Sequence, residues 1–222
     1  MNRGDFATLD IHNGYPYEIH TYCECRKIRM SIARLERSGL RDAIKRLTFD
    51  TYKATEDWQI RVKQKVQDYV KNAPEDKWLL MCGQVGSGKT HLCTAVCGEL
   101  LMSGKEVVYA LWRNEMSGLK SSMSDPDEYT RKMSKLVKCD VLYLDDLFKP
   151  VKDEGITPSD IKLTYDIINA RYVARTRTII SGEMMLGEML ELDEATASRI
   201  AEMSKGYQIQ IERKEGRNYR LQ

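Results

Sequence analysis

The sequence predicts an α/β fold: a mostly parallel sheet of five strands held between helices. Three observations carry that prediction. From Lys77 onward, short apolar runs alternate with segments of helical period, the pattern of parallel strands joined by crossover helices. One apolar run, "WLLMC", leads into "GQVGSGKT" and then a helical pattern, the strand–loop–helix order of a phosphate-binding loop. Another, "VLYL", ends in two aspartates, and open α/β sheets bind ligands at the carboxyl ends of their strands.

The elements follow in order. Residues 1 to about 30 contain glycine and tyrosine, read as irregular, and end in "YCECRK". Residues 31 to 75 read as helices with a break. "SIARLERSGLRDAIKRL" puts Ile32, Leu35, Leu40, Ile44 and Leu47 on one face, with Gly39 as the interruption. "EDWQIRVKQKVQDYV" repeats the pattern and Pro74 closes it. Beyond "WLLMC", "KTHLCTAVCGELLMS" is a helix and "EVVYAL" a strand. Polar helical material then runs to about Lys138. "DVLYLDD" is a strand, "PSDIKLTYDIINARYVA" a helix with Pro158 near its start, and "RTIIS" a strand. Two short helices follow, and "YQIQI" and "NYRL" close the chain as extended segments.

The 222 residues are 42% hydrophobic and 31% charged, with a net charge of +2. That composition is ordinary for a soluble globular protein. The small charge gives no global field toward nucleic acid, so any such contact must come from a local patch. No signal peptide and no run of about 20 apolar residues is present, which predicts a cytoplasmic protein without a membrane partner. Of six cysteines, Cys82, Cys93, Cys97 and Cys139 fall in core-like segments and act as small hydrophobes.

"GQVGSGKT" fits G-x-x-x-x-G-K-[ST] at Gly83, Gly88, Lys89 and Thr90. The loop residues Gly83, Gln84, Val85, Gly86, Ser87, Gly88, Lys89, Thr90 and His91 are therefore the candidate nucleotide cradle. Glycines let backbone N–H groups point inward at phosphate oxygens, and the helix N-terminus adds positive charge. Lys89 is expected to reach the β- and γ-phosphates and the Thr90 hydroxyl to ligate Mg²⁺. Asp145 is expected to hold the same Mg²⁺, and Asp146 to polarise an attacking water. A paired acid favours hydrolysis of ATP to ADP over storage of the nucleotide.

"GQVGSGKTHLCTAV", "VLYLDDL", "IINARYVARTRTIIS" and the late "ASRIAEMSKGYQIQI…NYRL" together resemble the AAA+ ATPases. Within them the chain resembles replicative helicase loaders of the DnaC/DnaI type and the related transposition helper IstB. The resemblance implies an ATPase domain over 48–222, with no clear C-terminal lid after "YQIQI". It also implies a small helicase-binding region over 1–47. It makes Arg199, in "ASRI", the finger that reaches a neighbouring subunit's γ-phosphate in an oligomer. It places Ser181 at the sensor position of the fourth core strand, where loaders read Thr-Ser-Asn and this chain reads Ser181-Gly182-Glu183. Phe49 and Tyr52 are implied near the adenine, with plain core packing as the other reading. Lys120, Arg131, Lys132, Lys135 and Lys138 are implied to touch single-stranded DNA, against a solvated helix face broken up by Glu115, Asp125, Asp127 and Glu128.

Loaders of this type often carry a small zinc module, commonly with four cysteines, and the resemblance raises one here. Here Cys23 and Cys25 have only His12 and His20 as local companions for the four ligands zinc needs. The readings are a His12–His20–Cys23–Cys25 Zn²⁺ site or a decayed site with free thiols. The basic run from Arg26 to Arg46 suits a partner surface or a solvated helix. The resemblance implies ATP-dependent delivery of a DnaB-type hexameric helicase onto single-stranded DNA, in a bacterial cytoplasm, with the short chain suiting a phage-encoded version. An IstB-like transposition helper, a nucleotide-gated adaptor with little turnover and a metabolite kinase are the competing readings. The acidic pair, the "SRI" box and the missing substrate lid argue against the kinase.

Overall fold

The computed structural model describes residues 5–12, 15–22, 40–150, 155–215 and 217–218, the first two segments as backbone. Strands β1 (Asp5–His12) and β2 (Tyr15–Tyr22) form an antiparallel hairpin. This corrects the irregular reading of the first 30 residues. The signal was present in the sequence, because Asn13-Gly14 between two runs of extended-type residues is a strong hairpin marker. Cys23, Cys25, most of the basic run, the break at Gly39 and most of "NYRL" lie outside the described residues.

The hairpin register also bears on zinc. His12 pairs with Tyr15 and His20 with Ala7, five register steps apart. At roughly 3.4 Å per residue their Cα atoms stand about 17 Å apart. The hairpin backbone thus holds His12 and His20 far apart, and the other two residues of the zinc set, Cys23 and Cys25, lie outside the described residues.

The rest builds one sheet between two helical layers. The chain runs α1 (Arg41–Arg46), α2 (Asp57–Asn72), β3 (Leu79–Gly83), α3 (Lys89–Met102), β4 (Val107–Leu111), α4 (Trp112–Ser121) and α5 (Pro126–Lys138). It continues through β5 (Val141–Leu147), α6 (Pro158–Val173), β6 (Arg177–Gly182), α7 (Leu186–Leu192), α8 (Glu194–Met203) and β7 (Gln208–Ile211). The sheet order is β4-β5-β6-β3-β7 and every pairing is parallel. Among the described residues no helix follows β7.

Strand alternation sorts the core. Leu79 and Met81 face one side with Tyr143 and Ile179, against Leu92, Val96, Leu100 and Tyr69 of α3 and α2. Leu80 and Cys82 face the other side with Leu142, Leu144 and Ile180, against Trp112, Leu163, Ile167 and Ile200. The α3 helix is apolar nearly all round because it lies between the sheet and the outer helices. Leu40 and Ile44 join that same core, so the packing of the body begins upstream of residue 48.

Buried Arg171 of α6 fastens α5 to β6. Its guanidinium donates to the carbonyls of Leu136 (3.0 Å), Val137 (3.0 Å) and Cys139 (3.1 Å) where α5 ends. It also donates to Thr178 Oγ1 (2.9 Å) and the Arg177 carbonyl (2.6 Å). A buried cation is tolerated here because its donors meet the acceptor-rich end of a helix.

Candidate nucleotide-binding site

The loop between β3 and α3 curls by means of glycine. Gly83, Gly86 and Gly88 all have positive φ, which non-glycine residues seldom adopt. At Gly88 space matters too: a Cβ would sit 2.7 Å from Tyr52 Cε2. Lys89 opens α3 and is buried. Its ammonium donates to the carbonyls of Gly83 (2.8 Å) and Gln84 (2.7 Å). Burial pushes its pKa down, while Glu183 and Asp146 nearby oppose that shift.

Asp145 ends the straight part of β5 and is nearly buried. Its Oδ1 accepts from the Ser181 hydroxyl and, at 3.4 Å, from the Thr90 hydroxyl. Its Oδ2 accepts from the Tyr109 hydroxyl at 3.2 Å. Tyr109 lies across from Tyr143 in the β4–β5 register. Burial, with the carboxylate beside it, holds the Tyr109 phenol above its ordinary pKa and so in the donating form. Ser181 is fully buried. It orients Asp145 and does not line the cavity.

The cavity measures about 450 Å³. It is lined by the Val85–His91 stretch, by Leu47, Thr51, Tyr52 and Lys53, and by Asp146, Lys149 and Glu183. The predicted loop residues Val85, Gly86, Ser87, Gly88, Lys89, Thr90 and His91 are thus brought together with Tyr52 and Asp146. Phe49 is packed in the core instead. His91 Nε2 donates to the Thr48 carbonyl (2.8 Å) and lies 3.2 Å from Thr51 Oγ1. Its ring meets Tyr52 edge-on at 5.3 Å. His91 therefore pins the 48–52 segment to the phosphate loop, and burial keeps its pKa below the ordinary value.

Mg²⁺ fits this site. The hydroxyl of Thr90 and the carboxylate of Asp145 are hard oxygen donors already within contact of each other, and Mg²⁺ takes one or two such protein ligands beside phosphate oxygens. When bound, the ion neutralises phosphate charge. Among the described residues no three His, Cys, Asp or Glu groups are arranged to hold a metal unaided.

Sequence reasoning missed several residues. Lys149 joins Asp146 and Glu183, with Nζ 3.2 Å from Asp146 Oδ2 and 2.7 Å from Glu183 Oε1. The tail after β7 crosses the phosphate loop. The Gln84 N–H donates to the Ile211 carbonyl (2.8 Å), and Gln84 Oε1 accepts from the Lys214 N–H (3.1 Å). Asn218 lies over Gly86, with Oδ1 only 1.9 Å from where a Cβ would stand. Only the paired register of β3 and β7 shows this crossing. No local motif marks it.

The other predicted residues lie away from the cavity. Arg199 sits half-buried on α8, donating to Asn169 Oδ1 (3.0 Å) and the Ala195 carbonyl (2.6 Å) and stacking on Tyr165 and Tyr172. Lys120 is salt-bridged to Asp160 (2.8 Å), which caps α6. Arg131 and Lys132 both pair with Glu128, and Lys132 also donates to the Gly118 carbonyl (2.9 Å). Lys135 lies close enough to Glu115 to act on its carboxyl, which burial raises and Lys135 and Lys132 lower.

Comparison with known proteins agrees with this geometry. The family described as "IstB-like ATP binding protein" matches residues 19–202. The chain is 31% identical to uncharacterized protein YqaM of Bacillus subtilis, over 94% of this chain and 68% of that one. It is 30% identical to the phage-like element PBSX protein XkdC of the same organism, over 87% and 75%. To the replicative helicase loader DnaC of Escherichia coli it is 27% identical, over 50% of this chain and 46% of DnaC. The crystal structure of the DnaC helicase loader superimposes with a TM-score of 0.57 at 23% identity, covering 75% of this chain and 96% of that chain. The phosphate loop, the acidic strand end and the all-parallel sheet are those of an AAA+ P-loop ATPase, and the chain belongs to the IstB-like ATP binding protein family.

Proposed function

We propose that this ATPase delivers a DnaB-type hexameric helicase onto single-stranded DNA during replication in the bacterial cytoplasm. What supports the reading is the similarity to DnaC together with a complete phosphate site, from Lys89 through Thr90 to Asp145. In it Lys89 and the loop N–H groups hold the phosphates, and Asp146 orients the water that attacks the terminal phosphorus. Arg199 acts in trans, from one subunit to its neighbour in an oligomer, on charge developing at that phosphorus. Hydrolysis then resets the loader and releases its partner. Residues 1–47 carry the helicase contact in this scheme, and the α4–α5 face carries the DNA contact through Lys120, Arg131, Lys132 and Lys135.

The deciding experiment is co-purification of the full chain with a hexameric replicative helicase in ATP and in ADP. Retention in one nucleotide and release in the other is the expected result. Failure in both states would discard the loader role. The match to the IstB-like family favours a second reading, in which the same cycle serves a transposase. Capture of a transposase in place of the helicase selects it.

A further inference from the structure

The end of β5 is built as a turn of unusual backbone. The β5–β6 register shifts between Leu144 and Leu147. Asp146 and Phe148 both have positive φ, 54° and 57°. Such values cost energy in non-glycine residues and persist only where the surroundings hold them. The surroundings do so here. Leu147 and Phe148 are buried, Phe148 packs edge-on against Trp112 at 5.7 Å, and the Lys149 N–H closes the turn on the Asp146 carbonyl at 3.1 Å. The two apolar residues anchor the turn, and Asp146 and Lys149 reach the cavity.

The end of β6 meets that turn closely. A Cβ on Gly182 would come within 3.1 Å of the Leu147 carbonyl oxygen. The absence of one lets the next residue, Glu183, approach Lys149. Two strands thus place an ammonium between two carboxylates that line the cavity.

Charge there needs this cation. Asp145, Asp146 and Glu183 are three acids near the place a terminal phosphate must occupy. Lys89 is one cation among them, and its ammonium is engaged with loop carbonyls. Ser181, the residue in the sensor position, is buried on Asp145 and does not face the cavity. Glu183, which does face it, repels phosphate unless its charge is neutralised.

We propose that Lys149 is the residue by which this protein tells a nucleoside triphosphate from a diphosphate. Its ammonium, shared between Asp146 and Glu183, transfers to the terminal phosphate and leaves Asp146 free to orient water. The proposal rests on the cavity being the ATP site. An exposed lysine–glutamate pair of no functional weight is the rival account, since Lys149 is 43% exposed and such pairs contribute little.

The test is titration of the full chain with Mg·ATP and Mg·ADP, for the wild type, Lys149→Ala, Lys149→Arg, Glu183→Gln and Lys89→Ala, with melting curves to verify folding. Lys149→Ala is expected to lose about tenfold in ATP affinity, the scale of one charge-assisted hydrogen bond, with ADP affinity changed less than about twofold. Lys149→Arg restores the ATP preference because the charge is kept. Glu183→Gln raises ATP affinity by removing the repelling charge and leaves ADP nearly unchanged. An unaltered ATP-to-ADP ratio in Lys149→Ala, or an equal loss for both nucleotides, overturns the proposal. Lys89→Ala separates the two failures. Loss of both nucleotides there keeps the cavity as the ATP site, and retention of both removes that reading and the proposal with it.

Discussion

The Thr90 hydroxyl lies 3.4 Å from Asp145 Oδ1, although β6 stands between the two strands that lead to them. The contact closes over the top of the sheet, where a helix N-terminus meets a strand end. Asp145→Asn keeps the size of the side chain and drops its charge. It is expected to weaken Mg·ATP by about tenfold or more. In excess EDTA the variant and the wild type should bind ATP alike. A difference that survives EDTA would detach Asp145 from the metal.

Gly88 is fixed by its backbone and by Tyr52 together. Gly88→Ala puts a Cβ at 2.7 Å from Tyr52 Cε2 with φ at 87°. The expected cost is about 1–3 kcal/mol, read as a melting temperature several degrees lower, with weaker nucleotide binding. A melting temperature equal to wild type would show that the loop relaxes freely.

His91 makes stability depend on pH. Its folded pKa lies below the ordinary 6.5, first because it is buried. Between the two values the unfolded chain binds a proton that the native chain does not, so stability rises with pH across that window. Read downward, stability is lost as pH falls below 6.5. Urea midpoints taken at about pH 7.5 and about pH 5.5 should drop more for the wild type than for His91→Gln. Equal drops would place the acid sensitivity elsewhere.

Arg199 stacks on two tyrosines and reaches no residue of its own cavity. Arg199→Ala should bind ATP as the wild type does. Its turnover should lose the steep dependence on protein concentration, falling about 10³-fold or more in assemblies if it acts as a trans finger. Unchanged turnover at high concentration would return Arg199 to a purely structural place on α8, packed against α6.

Arg171→Met leaves the last carbonyls of α5 and that of Arg177 without their donor. We expect a loss of about 3 kcal/mol or more in urea unfolding, since several acceptors are orphaned at once. A loss below about 1 kcal/mol would mean that water replaces the guanidinium.

The sequence shows Gly83 to Thr90 and Asp145 because their chemistry needs a fixed local spacing. The order of strands around them was legible for the same reason, since apolar runs and helical periods are local signals. Lys149 was not. Its meaning comes from Glu183, which lies far along the chain and becomes its neighbour only through the pairing of β5 with β6. Ser181 was found by position, but its hydrogen bond to Asp145 was not. Nothing in "RTIIS" says that the serine turns inward to Asp145. The hairpin of β1 and β2 was in reach, for Asn13-Gly14 marks it, whereas the tail over Gly86 leaves no local mark at all.

That tail has a practical consequence. Ile211, which ends β7, and Lys214 after it are bonded to Gln84, and Asn218 lies over Gly86. A fusion attached beyond Asn218 would therefore tug on the loop that holds the nucleotide. A reporter dye placed in the tail would register loop movement directly.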